Sequence, residues 1–220
     1  IRRKFVPSAG EDAALLENLT DVIVRQTNDL RRIVDEFSKF ARMPEPEKSI
    51  HDLRKLVADA MLLQEDAIEG VSLTSDLPDA PVLADLDSTM IGQALTNIIK
   101  NAGEAIETLG EKKGFPDGFQ GRVHLEMEVR DGAAHITISD NGIGLPDDRS
   151  FLFEPYATTR EKGTGLGLPI VKKIIEEHGG TLALVDAASL DQSGQIGAAA
   201  KIVLPLSAAQ EKAGDLAVAE

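Results

Sequence analysis

The sequence contains no cysteine, so the chain can form neither a disulfide framework nor a thiolate metal site, which suits a reducing cytoplasm. It also has no apolar run of the roughly 18 to 20 residues that a bilayer-spanning helix needs, and residues 1–4 lack the apolar core of a signal peptide. Positive charge is scarce, since 23 lysine and arginine residues stand against 37 acidic residues. The net charge of −14 argues against a broad nucleic-acid interface.

The chain does contain a normal apolar fraction, 42% of 220 residues, which is enough for one ordinary domain and a smaller element. Because the overall charge is negative, any anionic ligand must be bound locally, by metal ions, backbone amides and helix N-termini. The sequence opens without methionine in the middle of a helical pattern. We therefore expect a piece of a longer protein, in which membrane segments can lie upstream.

A long amphipathic helix is predicted between Glu11 and Arg42, a stretch without proline or glycine. Its apolar residues form a near-heptad seam, which indicates partner helices along its length. The seam consists of Leu19, Val22, Leu30, Ile33, Phe37 and Phe40. This pattern is typical of a helix in a bundle.

Residues 1–5 have the pattern of the end of a preceding helix, and residues 7–10 supply the turn between the two helices. We therefore interpret residues 1–43 as a truncated helical hairpin whose first helix is almost entirely missing. Residues 44–50 contain two prolines, which cannot continue the helix, and we place an interdomain linker there.

Helical patterns return after the linker. Ser49 with Asp52 has the spacing of a capping box, which predicts a helix that continues through Glu65. A second helix is predicted from Ser88 to Leu109.

A hairpin follows, because residues 123–129 and 134–139 alternate apolar and polar side chains around an Asp-Gly turn at 131–132. Further strands are predicted at 71–73, 82–84, 181–185 and 198–206, and a third helix at 168–178. Three helices on one face of a mixed, largely antiparallel sheet predict an α/β two-layer sandwich over residues 51–206. Residues 207–220 are predicted to be a flexible tail.

Two asparagines on the second helix form the first candidate motif. Asn97 and Asn101 are one helical turn apart and share a face, so both carboxamides can meet one ligand. A carboxamide oxygen suits Mg²⁺ that keeps waters and binds mainly to phosphate oxygens. The alternative is an ordinary pair of surface amides.

The second motif, Asp140 to Gly144, begins where a hairpin strand ends. Glycines let the backbone approach a planar ligand, and a carboxylate at the strand end can accept a hydrogen bond from an exocyclic amine such as that of adenine. The same residues are also compatible with an ordinary turn.

The third motif is the aromatic stretch 151–156, followed by polar residues up to Lys162. It predicts a mobile lid anchored by Phe153 and Tyr156, with Arg160 or Lys162 able to reach phosphates. A loop pinned by core aromatics is the alternative, and the two are compatible.

The fourth motif is Gly163 to Leu168, which leads directly into the third helix. Its successive amides and the positive end of the helix dipole can cradle phosphate oxygens. It is neither a Walker motif nor a dinucleotide fingerprint, because the residues that follow and the preceding structure differ from both.

The four motifs in this order resemble the N box, first glycine box, F box and second glycine box of histidine kinases, within the gyrase, Hsp90, kinase and MutL ATPase superfamily. The resemblance covers about residues 50 to 206 and implies a Bergerat-type ATP-binding fold. Residues 197–205 resemble the family's final strand, although Ala200 stands where the family usually has an aromatic residue. Residues 25–37 and 41–44 resemble the second hairpin helix of NtrY-type nitrogen-regulation sensor kinases.

The resemblance implies a role for each matching residue. Asn101 would ligate Mg²⁺, Asp140 would read adenine, and Gly142 and Gly144 would give the base room. Asn97, also an implied ATP-binding residue, stands where hydrolytic relatives have a glutamate that activates water. An amide is a poor general base, so this residue favours transfer to a protein side chain over hydrolysis. The other implied ATP-binding residues are Lys100, Thr159, Arg160, Lys162, Gly163, Thr164, Gly165, Leu166 and Gly167.

The implied reaction is a Mg²⁺-dependent transfer of the ATP γ-phosphoryl group to a histidine on the first hairpin helix, and then to an aspartate of an NtrX-like response regulator. This chain lacks that histidine. Its four histidines, which we interpret as solvated or strand-face side chains without a transition-metal cluster, are His51, His124, His135 and His178.

The longer protein is expected to be a homodimer through the hairpin and a sensor anchored in the inner membrane, with this part in the cytoplasm. Three alternatives remain open: a superfamily ATPase, a Ser/Thr anti-sigma-type kinase, and a nucleotide-gated interaction module. The long seam helix and Asn97 count against the first, and the hairpin sequence counts against the second. Phosphotransfer to a separately supplied hairpin would distinguish the third from a kinase.

Overall fold

The computed structural model describes residues 12–41, 43–65, 67–68, 70–156, 165–190 and 194–207. Contacts divide the chain into two compact units, Ile1–Pro44 and Glu45–Glu220. In the described residues, the first unit contains one long helix and the second contains three helices and seven strands.

Helix α1 (Ala13–Ala41) is 29 residues long and confirms the predicted long helix. Much of its apolar surface is open, because Leu19, Val22 and Leu30 are 52%, 50% and 62% exposed. The side chains of the other predicted seam residues lie outside the described part of the structure. Burial of such side chains is what stabilises a helix of this kind, so the exposed seam favours a partner helix.

Helix α2 (Leu53–Glu65) begins later than predicted, and the predicted capping box is wrong. Strand β1 (Ser49–Asp52) occupies that position and pairs antiparallel with strand β3 (Leu83–Leu86). The backbone groups of these residues are therefore bonded to a neighbouring strand. Asp52 caps the helix, accepting a hydrogen bond from the amide of Arg54 at 3.2 Å.

The main sheet has five strands in the order β2-β4-β5-β7-β6. These are β2 (Val71–Asp76), β4 (Gly121–Arg130), β5 (Ala133–Asp140), β6 (Thr181–Asp186) and β7 (Ala198–Pro205). β2 and β4 run parallel, and the other neighbouring strands run antiparallel. The predicted hairpin is confirmed, since Asp131 and Gly132 have φ angles of 53° and 71°, as a type I′ turn requires.

Helices cover one face of this sheet. In β4, Val123, Leu125 and Met127 are buried, whereas the alternate residues Glu126 and Glu128 are exposed. Two helices complete the described elements, α3 (Ser88–Lys113) and α4 (Gly167–Glu177). α3 packs on β4, β5, α2 and α4, while α4 packs on β6. The predicted α/β two-layer sandwich is confirmed. No helix in the described part of the chain is long and apolar enough to cross a bilayer.

Candidate functional site

The N-box residues lie on α3. Asn97 and Asn101 are both half-buried, while the adjacent Ile98 is buried in the core. Core packing therefore fixes the rotation of α3 and directs the two carboxamides along one side, one turn apart. Lys100 is exposed, and its Nζ lies 3.8 Å from Oε1 of Glu104, an i,i+4 ion pair. The structure thus places the Lys100 ammonium group beside a carboxylate on the same helix.

Asp140 lies at the end of β5 and is 5% exposed. Its Oδ1 accepts hydrogen bonds from the amides of Gly142 at 2.8 Å and Ala198 at 3.2 Å. Gly197 packs directly against it, because an added Cβ there would lie 2.6 Å from Oδ1 and would also collide with the Asp140 carbonyl oxygen. Two amides and one close glycine therefore fix the orientation of this carboxylate.

Gly142 joins the Asp140 turn to α3. An added Cβ at Gly142 would lie 2.5 Å from the carbonyl carbon of Ala105, and the next amide, that of Ile143, donates to the Ala105 oxygen at 3.0 Å. The close approach that requires Gly142 is thus to the protein's own helix. Gly144 has φ 81°, and a Cβ there would meet the carbonyl oxygen of Ile196 at 3.1 Å. Room for a base beside these two glycines stays a prediction.

Two further amide side chains that the sequence did not single out hold this turn. Asn141 is fully buried, donates to the Gln120 carbonyl at 2.7 Å and accepts from the Arg122 amide at 2.8 Å. The carboxamide of Gln195 donates to the Gly142 carbonyl at 2.8 Å. The Asp-Asn-Gly turn could have indicated a structural role for Asn141. Nothing in the local sequence indicates the role of Gln195, because it lies 53 residues from Gly142 along the chain.

The second glycine box is described only at its end. Gly165 has φ 68°, and Leu166 is fully buried and accepts the first helical hydrogen bond of α4 from Ile170 at 3.0 Å. At Gly167 an added Cβ would lie 3.9 Å from Nδ2 of Asn101. The structure therefore brings the N-terminus of α4 beside the N box. Thr159, Arg160, Lys162, Gly163 and Thr164 lie outside the described residues.

The ends of the predicted lid meet each other. The amide of Tyr156 donates to the Gly165 carbonyl at 3.1 Å, and Tyr156 has φ 68°, a conformation that L residues rarely adopt. The side chain of Tyr156 is 51% exposed, the contact with Gly165 is made by the backbone, and the lid itself stays a prediction. Phe153 is half-buried, with Nζ of Lys172 5.1 Å from its ring centroid.

One side of α3 connects both groups of residues. Asn97, Asn101 and Ala105 follow each other at four-residue steps, with Gly167 beside Asn101 and Gly142 beside Ala105. We call Asp140, Gly142 and Gly197 the strand end of the site, and Asn101, Gly165 and Gly167 the helix end. The two ends are about 6 Å apart along α3, because each residue of a helix rises about 1.5 Å.

The far ends of α3 and α4 also meet. The amide of Asp87, the N-cap residue of α3, donates to Nε2 of His178 at 3.0 Å. His178 is 3% exposed, so its interpretation as a solvated side chain is wrong. Burial raises the pKa of the Asp87 carboxyl group. Hydrogen bonds from the amides of Met90, Glu47 and Thr89 together lower this pKa by more, so the carboxyl group has a pKa below its ordinary value.

The described residues contain no group of three or more histidine, cysteine, aspartate or glutamate side chains that could hold a metal. Asn101 offers a single neutral carboxamide next to the N-terminus of α4. This donor fits Mg²⁺ that takes most of its ligands from phosphates and water.

Residues 86–208 match the family described as "Histidine kinase-, DNA gyrase B-, and HSP90-like ATPase". The chain belongs to this family. The predicted family is thus confirmed, and the second unit contains an ATP-binding domain of the histidine-kinase type.

Individual relatives agree. The chain is 44% identical over 189 residues to the nitrogen regulation protein NtrY of Azorhizobium caulinodans, covering 85% of this chain and 24% of that protein. It therefore spans about a quarter of that relative's length. Among solved structures, the mycobacterial sensor histidine kinase MprB has a TM-score of 0.59 at 27% identity, covering 72% of this chain and 97% of that one.

The histidine kinase ThkA in complex with the response regulator protein TrrA has a TM-score of 0.63 at 22% identity. This match covers 87% of the present chain and 52% of the ThkA chain. At this identity the likeness shows the fold alone.

Proposed function

We propose that this chain is the ATP-binding part of a sensor histidine kinase that transfers the γ-phosphoryl group of ATP to a histidine on a helical hairpin. The observation that carries the proposal is the meeting of Asn101 with the N-terminus of α4 at Gly167, one turn from the contact between Gly142 and α3. A nucleotide laid along α3 would have its base at the strand end and its phosphates at the helix end. Both ends then offer the chemistry that their part of ATP needs.

At the strand end, Asp140 is the base-reading residue. Its orientation is set by two amides on Oδ1, so the carboxylate can accept a hydrogen bond from the exocyclic amine of adenine in a fixed direction. Gly144 and Gly142 line the same turn. A carboxylate held before the ligand arrives loses little side-chain entropy on binding.

At the helix end, backbone amides at the N-terminus of α4 stabilise negative charge, and the helix dipole adds to their effect. Gly163, Thr164, Gly165, Leu166 and Gly167 are the proposed cradle, with Thr159, Arg160, Lys162 and Lys100 as further phosphate contacts. Mg²⁺ bound to the Asn101 carboxamide oxygen would offset phosphate charge.

Asn97 directs the reaction towards transfer. A carboxamide does not remove a proton from water at neutral pH, so this residue orients the phosphate region without activating water for hydrolysis. The acceptor would be a hairpin histidine outside this chain. Phosphoryl transfer depends on positioning, so the helix end and the acceptor must be brought into line.

The partners belong to the longer protein. The exposed apolar side of α1, at Leu19, Val22 and Leu30, supports its role as one helix of a dimerisation hairpin.

ThkA, which is similar in fold, binds a response regulator, and by analogy we propose an NtrX-like regulator as the phosphoryl acceptor. Anchoring in the inner membrane and the domain boundaries at 1–43, 44–50, 51–206 and 207–220 are further parts of the proposal.

Phosphotransfer tests this function. The present chain is mixed with Mg²⁺, γ-labelled ATP and a longer version that has an intact hairpin and an Asn101→Ala substitution. Acid-labile label is expected on the longer chain and none on the present one. Stoichiometric label on His51, His124, His135 or His178 would contradict the proposal. Nucleotide binding without any transfer would favour a nucleotide-gated interaction module.

A further inference from the structure

Helices α3 and α4 lie side by side and antiparallel, with a defined contact at each end of the pair. At one end Gly167 is beside Asn101, and at the other end His178 is bonded to Asp87. α4 has 11 residues and is therefore about 16 Å long. The helix end of the site and the His178 contact are thus the two ends of a single helix pair.

The His178 imidazole bonds to both helices at once. Its Nδ1 lies 2.7 Å from the carbonyl oxygen of Ile174 on α4, and its Nε2 lies 3.0 Å from the amide nitrogen of Asp87. A carbonyl can only accept and an amide can only donate, so Nδ1 carries the proton and Nε2 accepts. One neutral tautomer satisfies both partners in a site that is 3% exposed.

Both supports of this ring are themselves held in place. The Asp87 carboxylate accepts from the amides of Thr89 and Met90 at 2.9 and 3.1 Å, which joins it to the first turn of α3. Beyond His178, Gly180 packs so closely on β7 that an added Cβ would collide with the Val203 carbonyl oxygen. Both sides of the His178 contact are therefore tied to neighbouring elements, by hydrogen bonds at Asp87 and by close packing at Gly180.

We infer that His178 is a positioning residue for the phosphoryl-transfer site, acting through α4 to keep the amides near Gly167 in line with Asn101. The inference rests on the proposed function, since it assigns phosphate binding to the helix end. Without an acceptor for the Asp87 amide, α4 can slide or tilt along α3. A misplacement of about 1 Å at a reacting group can cost about a hundredfold in rate.

Two conservative variants distinguish the hydrogen bond at Nε2 from the hydrogen bond at Nδ1. His178→Gln places its amide oxygen near the position of Nε2 and can accept from Asp87, whereas His178→Asn reaches only the position of Nδ1 and keeps the bond to Ile174. Calorimetry on the full chain compares the affinities for Mg·ATP and for adenosine. Adenosine contacts only the strand end, so its affinity reports the folded pocket and not the alignment of α4.

We expect His178→Asn to weaken Mg·ATP binding by about tenfold relative to adenosine binding. We expect His178→Gln to keep the ratio of the two affinities within about threefold, because only His178→Asn removes the acceptor of the part-buried Asp87 amide. Met127→Ala, on the buried side of β4, is the control, since it removes apolar packing and lowers thermal stability at a residue outside the strand end, the helix end and the His178 contact. A purely structural role would lower the stability of His178→Asn and leave the ratio unchanged, and that result would overturn the inference. The inference would also be overturned if both variants weakened Mg·ATP binding relative to adenosine binding by the same factor.

Hydrogen exchange on the unmodified chain gives a second test that requires no variant. Coupling between two ends of one helix pair is reciprocal, so Mg·ATP should slow exchange of the Asp87 amide and adenosine should not. Equal exchange with both ligands would contradict the inference while leaving nucleotide binding intact. If the chain bound neither ligand, the proposed function itself would fail, and the positioning role with it.

Discussion

The two ends of the candidate site are built in different ways. At the strand end, Asp140, Gly142 and Gly197 are held by buried backbone contacts from α3 and from the start of β7. At the helix end, Gly167 at the start of α4 lies beside Asn101, and in the described residues the chain joins this end through a hydrogen bond from the Tyr156 amide to the Gly165 carbonyl. The close packing of the strand end fits its proposed role with a flat base of constant shape, and the helix N-terminus at the helix end fits its proposed role with phosphates.

The largest effect is expected at Gly197, where Gly197→Ala would place a methyl group 2.6 Å from Asp140 Oδ1. Since backbone on both sides must move, we expect the free energy of unfolding to fall by about 2 to 4 kcal/mol and adenosine binding to be lost. Urea denaturation and calorimetry measure the two effects. Gly92→Ala on α3 is the control, because a Cβ there meets nothing within 4 Å and should stabilise the helix by about 0.5 to 1 kcal/mol. An unchanged Gly197→Ala protein would refute the rigid strand end.

Asp140→Ala should weaken all adenine nucleotides by a similar factor. A hydrogen bond to a charged group contributes about 1.5 to 3 kcal/mol, so the dissociation constants for ATP, ADP and adenosine should each rise about tenfold to a hundredfold. Titration calorimetry with the three ligands tests this. Asp140→Asn, which can keep its oxygen on the Gly142 and Ala198 amides, separates loss of the base contact from collapse of the turn. Unaltered affinities in Asp140→Ala would remove the adenine assignment.

Asn101→Ala should weaken nucleotide binding at the helix end of the site. The Mg²⁺ proposed to accompany the phosphates would lose its Asn101 ligand, so we expect ATP affinity to fall by about tenfold with Mg²⁺ present and to change little with chelator, while adenosine binds as before. Measurements with and without Mg²⁺ on both variants, Asn101→Ala and Asp140→Ala, make a four-way comparison. If the same ligands weakened in both variants, the division of the site into two ends would be wrong.

A smaller effect is expected on acid stability from Asp87. Its folded-state pKa lies below the ordinary value, so the stabilisation is complete above the unfolded pKa near 3.8 and is lost as pH falls through the folded pKa. Asp87→Asn keeps a capping oxygen but not the charge. We expect the variant to be less stable than the parent by at most about 1 kcal/mol at pH 7, and the difference to disappear once the pH has fallen below the folded pKa. Thermal denaturation across this pH range provides the test, and a constant difference at all pH values would contradict it.

Tyr156 should give the smallest effect. Its φ of 68° is unfavourable for any residue with a Cβ, so Tyr156→Gly should relieve strain of about 1 kcal/mol, partly offset by the larger entropy of the unfolded glycine. Tyr156→Phe keeps the strain and controls for the lost hydroxyl group. Urea unfolding of the three proteins measures the difference. A clear loss of stability in Tyr156→Gly would mean that the exposed ring contributes more than the strain costs.

Local sequence was sufficient for most of the elements and for the family. The period of two in β4 and β5 and the heptad seam of α1 are properties of neighbouring residues, because side-chain direction follows directly from backbone geometry. The order of Asn97, Asn101, Asp140 and the glycine cradle likewise lies in the chain itself. These features predicted the hairpin, the long helix, the sandwich and the nucleotide family.

Only the tertiary structure decided which residues meet. The Ser49–Asp52 segment became a strand because Leu83–Leu86 offered its backbone partners, which outweighed a local capping pattern. Gly142 is required by the backbone of α3, and His178 is buried because the N-cap of α3 approaches it from 91 residues away. No local pattern encodes such contacts, since they depend on how separate elements pack. The sequence determined the candidate residues of the site, and packing determined which of the described ones lie together.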